Sequence, residues 1–228
     1  MDETPEQRHK LVGSPALWQM KRRFQIEFLR ARGLQPSHRL LDLGCGTLRG
    51  GIPLIGYLDA GRYVGIDVRA EAIAEARAEL AQHGLAGKEA TLLAVDGLAG
   101  LALGHAFDVA WAFSVLIHMD DARLDEALAF TARHLAPDGV LYANVNVGER
   151  APGGWQGFPV MWRPLPAYAE AARRAGLEVD DLGPLGALGH VSGVAAQDAQ
   201  RMLAFRHAGR ASARVGPAGA PVSAGRTA

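Results

Sequence analysis

Three acids at the ends of apolar runs, and a glycine bend after the first, are the residues here with chemistry to do. The stretch LLDLGCGTLRGG, Leu40 to Gly51, sets Asp42 ahead of Gly44 and Gly46. YVGID, Tyr63 to Asp67, ends in a second acid. A third, Asp96, follows the run Ala90–Val95 and precedes Gly97. An apolar run that breaks into glycines and then turns helix-compatible reads as a strand feeding a tight turn that opens a helix. With another acid closing the next strand, this geometry builds a pocket for a nucleoside with a polar tail. Gly44 and Gly46 permit positive φ and a close approach of backbone to ligand. A carboxylate before the first glycine repels a pyrophosphate but tolerates a cation. Asp67 can accept hydrogen bonds from two ribose hydroxyls, and Asp96 can receive an adenine amino group. Each acid alone is more simply a turn former or helix cap. Three at successive strand ends, with the bend, favour a ligand site. GCGTLRG departs from the GxGxxG spacing, which places a nicotinamide-dependent oxidoreductase last among the readings.

The acids need strands to carry them, and the pattern alternates strand with helix. Strands are expected at Arg39–Leu43, Tyr63–Asp67, Ala90–Val95, Phe107–Phe113, Gly139–Val147, Leu177–Leu182 and Arg201–Phe205. Helices are expected at Leu48–Tyr57, Ala70–His83, from an Asp120 cap to Leu135, and Leu165–Ala175. The first helix runs from Pro15 to Arg32, with Ser14 as N-cap, an apolar stripe of Leu17, Met20, Phe24 and Phe28, and Gly33 as its stop. Strand–helix alternation implies parallel pairing through right-handed crossovers. The last two strands have no helix between them, so the final pair is antiparallel. The fold class is α/β: Rossmann-like, a seven-stranded mostly parallel sheet with helices on both faces and an antiparallel last strand.

The expected organisation is a flexible N-terminus (1–13) and a single domain (14–207). That domain holds a capping helix (14–33) and an insert (148–166) on the substrate side. A disordered tail (208–228) follows, nearly devoid of large apolar side chains. Basic and acidic residues balance at 24 each, which argues against a nucleic-acid partner. Cys45 is the only cysteine, so no internal disulfide forms and a reducing cytoplasm fits. No apolar run approaches a membrane span, and the polar start MDETPEQRHK is no signal peptide. Cys45 reads as a small filler in the turn.

DLGCGT, then GID, VDG, FDVAWAFSVLIHM and LAPDGVLYANV, resembles the class I S-adenosylmethionine-dependent methyltransferases over about Leu40–Val147. The resemblance implies S-adenosylmethionine as cofactor and S-adenosylhomocysteine as product. Asp42 would sit under the methionine amino group, with Gly44, Cys45 and Gly46 along the methionine portion. Asp67 and Val68 would hold the ribose, and Asp96 and Gly97 the adenine. Phe113 and Ser114 would line the sulfonium end. A hydroxyl acceptor must lose a proton, and His118 in SVLIHM, at the carboxyl end of a strand, is the candidate base. A packed histidine is the bland alternative. His190 is a second candidate facing the substrate. Trp155 and Trp162 of the insert would wall the acceptor, with Trp18 of the first helix capping the pocket. No metal site is expected. The lack of an Asn-Pro-Pro-Tyr type element disfavours base or glutamine amino groups as acceptors. The expected acceptor is an oxygen or nitrogen of a natural product, sugar or related metabolite, and the protein a monomer or homodimer. The alternatives are an RNA or peptide methyltransferase, motivated by the basic first helix, and a non-catalytic cofactor-binding protein.

Overall fold

The computed structural model describes residues 15–209. The expected flexible N-terminus, the Ser14 cap and residues 210–228 of the expected tail lie outside them. A 3-10 turn at Pro15–Leu17 leads into α1 (Trp18–Ala31). The alternation continues through β1 (Leu40–Leu43), α2 (Gly51–Tyr57), β2 (Tyr63–Asp67), α3 (Ala70–Gln82), β3 (Thr91–Ala94), β4 (Phe107–Ala112) and α4 (Asp121–His134). Then come β5 (Leu135–Val145), β6 (Gly153–Trp155), β7 (Phe158–Val160), α5 (Leu165–Arg174), β8 (Leu177–Pro184), α6 (Ala195–Asp198) and β9 (Arg201–His207).

Seven strands form one sheet in the order β3-β2-β1-β4-β5-β9-β8. β1 pairs in parallel with β2 and β4, as β2 does with β3 and β4 with β5. β9 runs antiparallel to both neighbours. This is the Rossmann-like sheet with an antiparallel last strand. β1 and β2 are buried at every position, as central parallel strands covered on both faces must be. Alternate residues of β4 face opposite layers. Val109 and Trp111 pack with Phe24, Phe28 and Ile55 on the α1–α2–α3 face. Ala110 and Ala112 pack with Leu124, Leu128 and Tyr168 on the α4–α5 face.

Several boundaries differ from expectation for local reasons. α2 begins at Gly51, because Leu48 takes φ +62° and closes a turn with its N–H on the Cys45 carbonyl at 3.0 Å. α4 stops at His134, and the chain extends at once into β5 through an irregular register opposite Phe107. The insert is a hairpin, β6–β7, turning at Gln156 and Gly157 with both φ positive, as a two-residue primed turn requires.

Candidate functional site

A cavity of about 780 Å³ opens at the carboxyl ends of the parallel strands, where open α/β sheets hold their ligands. The β6–β7 hairpin walls one side through Gly154, Trp155, Phe158 and Val160. Lys21 and Gln25 of α1, with Gln197 and Gln200 ahead of β9, wall another. Asp42, Asp67 and Asp96 all line it, as does His118.

The bend after β1 turns its donors inward. Gly44 N–H and Cys45 N–H both donate to the Ile66 carbonyl, at 2.8 and 3.1 Å, and Gly46 N–H donates to Asp67 Oδ2 at 2.9 Å. Three consecutive N–H groups are thus used within the protein. A phosphate-cradling loop aims such groups at its ligand. Gly44 has φ +67°, and a Cβ there would come within 2.5 Å of Val115 Cγ2. Cys45 is buried against Gly65, where a Cβ would approach its Sγ to 2.9 Å. Burial first, then Asp42 and Asp67, push its thiol pKa well up, so it fills space rather than reacts.

Asp42 is buried, and burial raises its carboxyl pKa to about 7, with the Asp67 charge adding to the rise. The Tyr63 hydroxyl, donating to Asp42 Oδ2 at 2.6 Å, and the Arg49 charge oppose that rise. Asp67 is anchored on both oxygens: Oδ2 takes Gly46 N–H, while Oδ1 takes Arg69 N–H at 2.9 Å and Arg69 Nε at 3.4 Å. Asp96 is exposed at the rim. The loop after it is tied down by Glu126 of α4, which accepts from Leu98 N–H at 2.9 Å and from Ala99 N–H.

Ser114, two residues past the end of β4, has φ +62°, a conformation few side chains adopt. Its N–H donates to Asn144 Oδ1 at 2.6 Å. Asn144 Nδ2 donates to Gln200 Oε1 (2.7 Å), Gln200 Nε2 to Asn146 Oδ1 (2.9 Å), and Asn146 Nδ2 to the Met161 carbonyl (3.0 Å). This relay of amides ties β4, β5, β9 and the end of the hairpin together. His118 closes a 3-10 turn, Leu116–His118. Its Nδ1 lies 2.8 Å from the Pro159 carbonyl and its ring stacks on Trp155 at 5.4 Å. A carbonyl only accepts, so Nδ1 carries the proton and Nε2 the lone pair. Burial lowers the His118 pKa below its usual value; the Pro159 contact works against this, and the Arg69 charge with it.

Of the residues expected at the site, Asp42, Gly44, Cys45, Asp67, Val68, Asp96, Gly97, Phe113, Ser114, His118 and Trp155 line the one cavity. Gly46 does not; it acts through Asp67. Three residues expected to face the substrate are not among those that line this cavity. Trp18 is buried beneath the Arg22 and Arg49 guanidiniums, 5.4 and 5.9 Å from its ring. Trp162 carries Arg150 at 4.5 Å, away from the lining. His190 is buried edge-on to Phe24 at 5.2 Å, with Nδ1 on Asp198 at 2.9 Å. Sequence reasoning missed Lys21, Arg49, Arg69, Arg123 and Glu126 at the lining. The i,i+4 spacing of Lys21 and Gln25, and the basic residue just past Asp67, were readable signals. Glu126 had none, because its contacts span the fold.

Residues 41–141 match the family model described as a methyltransferase domain. Solved structures share the fold of this chain. Magnesium protoporphyrin IX methyltransferase from Synechocystis PCC 6803, with bound S-adenosylmethionine, is 17% identical with a TM-score of 0.62. That alignment covers 91% of this chain and 86% of that one. The CcbJ methyltransferase from Streptomyces caelestis is 14% identical (TM-score 0.63), covering 86% and 91%. The [4+2]-cyclase SpnF is 20% identical (TM-score 0.62), covering 88% and 94%. A cyclase among these neighbours shows that the shared fold does not by itself fix the reaction.

Proposed function

We propose that this protein transfers the methyl group of S-adenosylmethionine to an oxygen or nitrogen of a small-molecule acceptor, such as a natural product, sugar or related metabolite. One observation carries the reading: Asp42, Asp67 and Asp96 line a single cavity with His118, while the bend between them has its N–H groups turned away. A pyrophosphate would meet carboxylates and no donors from that bend. A sulfonium nucleoside suits the same surface.

Asp67, with lone pairs beyond those used by Gly46 and Arg69, would take the ribose hydroxyls, beside Val68. Asp96 and Gly97 would take the adenine. Asp42, Gly44 and Cys45 would face the amino-acid end. Phe113 and Ser114 would lie at the sulfonium, where a ring face attracts positive charge. Bound there, the cofactor supplies a methyl group already activated on sulfur. The protein's part is alignment, water exclusion and proton removal. His118 is neutral at neutral pH with its lone pair on Nε2, the form that accepts a proton from an acceptor hydroxyl. The hairpin that fixes its Nδ1 also covers the cavity with Trp155.

Of the arginines in and just after α1 that motivated an RNA or peptide acceptor, Arg22, Arg30 and Arg32 have contacts within the fold, while Arg23 is exposed. Arg22 Nε donates to the Arg49 carbonyl at 3.0 Å, Arg30 lies over Tyr57 at 5.0 Å and Arg32 over Phe28 at 5.3 Å. Among the described residues no helix is long and apolar enough to cross a membrane.

Calorimetric titration of the full chain with S-adenosylmethionine is the first test, and an absence of binding at millimolar ligand ends the proposal. Mass spectrometry of candidate metabolites incubated with methyl-labelled cofactor is the second. Binding without S-adenosylhomocysteine formation on any acceptor would favour a non-catalytic role.

A further inference from the structure

The candidate base sits on a single 3-10 turn, closed by His118 N–H on the Val115 carbonyl at 2.9 Å and Met119 N–H on the Leu116 carbonyl at 3.3 Å. Such turns have poorer hydrogen-bond geometry than an α-helix, so a fixed ring here needs support from outside the turn. Three bonds supply it, all from the segment at the end of the hairpin. The Pro159 carbonyl takes His118 Nδ1–H at 2.8 Å, Met161 N–H donates to the Ile117 carbonyl at 2.8 Å, and Arg163 Nη2 donates to the Met119 carbonyl at 2.7 Å. Alternate residues of one segment thus hold three consecutive residues, each of which lines the cavity. The segment is itself tied down beside the end of β5. Gly148 N–H donates to the Arg163 carbonyl at 3.1 Å, and Asn146 Nδ2 to the Met161 carbonyl at 3.0 Å.

Arg163 is the unusual member of this set. Its side chain is 7% exposed, whereas Asp121, which accepts from its Nε at 2.8 Å, is 84% exposed. A guanidinium that gives up its hydration for a carboxylate still in water gains little net stability. Neither residue lines the cavity. What the buried end of this side chain does is hold the carbonyl next after His118. We propose that Arg163 is a positioning residue for methyl transfer: its bond to the Met119 carbonyl fixes the end of the turn, so that the His118 ring stays on Pro159 with its Nε2 lone pair available to the acceptor. The inference rests on the methyl-transfer reading, which makes His118 the base.

The test, on the full chain, separates the two contacts of that guanidinium. In Arg163→Gln the side-chain amide ends where the Arg163 Nε stands, so it can keep the Asp121 contact while losing the one to Met119. Asp121→Ala does the reverse. The first readout is the nitrogen NMR spectrum of the His118 ring at about pH 8, where an imidazole is neutral. The signal is assigned by its loss in His118→Ala. Wild type is expected to show a single species protonated at Nδ1. Arg163→Gln should add a second population protonated at Nε2, Asp121→Ala should leave the spectrum unchanged, and Arg163→Lys, which keeps a charged donor, should return the wild-type signal. The second readout is kinetic, with the acceptor found by labelled-cofactor screening. Arg163→Gln should lower kcat by roughly 10- to 100-fold, as a misplaced catalytic group does, with KM for S-adenosylmethionine unchanged. The proposal is overturned if wild-type His118 is already a mixture, if Arg163→Gln leaves its spectrum unaltered, or if Asp121→Ala changes it as much. Arg163→Met, which removes both contacts, takes the place of Arg163→Gln should that variant fail to fold. If no acceptor is methylated, or if His118→Ala turns over normally, the methyl-transfer reading or its base fails separately, and the ring spectra still decide whether Arg163 sets His118.

Discussion

The Tyr63 hydroxyl and the Asp42 carboxylate meet at 2.6 Å at the cavity floor, across the parallel pair β1 and β2. The Tyr63 hydroxyl opposes the burial that raises the Asp42 carboxyl to about 7. A cationic ligand binds the ionised form better. Affinity for S-adenosylmethionine is therefore expected to fall as pH drops below 7, by up to about tenfold per unit. Asp42→Asn should flatten that profile, and Tyr63→Phe should move its midpoint upward. Calorimetry between pH 5.5 and about 8.5 checks both. The stability sign is opposite for the empty protein. The unfolded chain releases this proton near 3.8 and the folded chain holds it to about 7. The folded state binds more protons across that window, so the Asp42 contribution falls as pH rises through it, by at most about 4 kcal/mol. Denaturant melts of wild type against Asp42→Asn isolate this slope.

His118 is expected to act on turnover and not on cofactor binding. His118→Ala should lower kcat by ~10²-fold or more while the cofactor Kd is preserved, as loss of a general base does. Because its pKa lies below the usual histidine value, the basic form is the majority species at neutral pH. The acid limb of the wild-type kcat profile should then fall below about 6.5, and should vanish in the variant. Near-normal turnover in His118→Ala would leave the residue as a strut for the hairpin, through Pro159 and Trp155.

β1 and β2 were legible because each is a buried central parallel strand of mostly apolar residues, while β3 before Asp96 is a largely exposed edge strand that only its apolar composition announced. Tyr63–Asp67 matches its predicted bounds residue for residue. The hairpin was not legible. Gly153, Gly154 and Pro159 are poor strand formers, and pairing there comes from the turn at Gln156–Gly157. The start of β5 was hidden for a similar reason: Ala136-Pro137-Asp138-Gly139 reads as a turn, yet it extends beside Phe107. Within the site, the acids were readable as residue types, but their partners were not. That Gly46 N–H serves Asp67, and that Gln200 links Asn144 to Asn146, depends on how distant segments register. The aromatic residues misled in the other direction. Trp18 and Trp162 were read as substrate walls, but neither is among the residues that line the cavity, and each lies under an arginine.

Asp67 should prove a dual-purpose residue. Asp67→Ala removes the proposed ribose acceptor and also frees Gly46 N–H and Arg69 N–H. S-adenosylmethionine affinity is expected to fall by about 10- to 100-fold, in line with about 1–3 kcal/mol for leaving buried polar partners unpaired. Arg69→Ala keeps the Gly46 bond and should cost less than Asp67→Ala. An unchanged Kd in Asp67→Ala would contradict the ribose assignment.

The last prediction concerns Asn144. Its Oδ1 accepts the Ser114 N–H, and its Nδ2 begins the amide relay through Gln200 and Asn146 to the Met161 carbonyl. Removing that side chain leaves the Ser114 N–H and Gln200 Oε1 without these partners, close to a backbone held at positive φ. Asn144→Leu, similar in volume, should destabilise the fold by about 1–3 kcal/mol, lowering Tm by several degrees. Asn144→Asp keeps the acceptor for Ser114 but cannot donate to Gln200, so it separates the two halves of the relay. If Ser114 placement is what matters at the sulfonium, Asn144→Asp retains turnover while losing stability, and Asn144→Leu loses both. Thermal melts read alongside kcat distinguish these outcomes, and an unaltered Tm in Asn144→Leu would show that the relay contributes nothing to holding the cavity in shape.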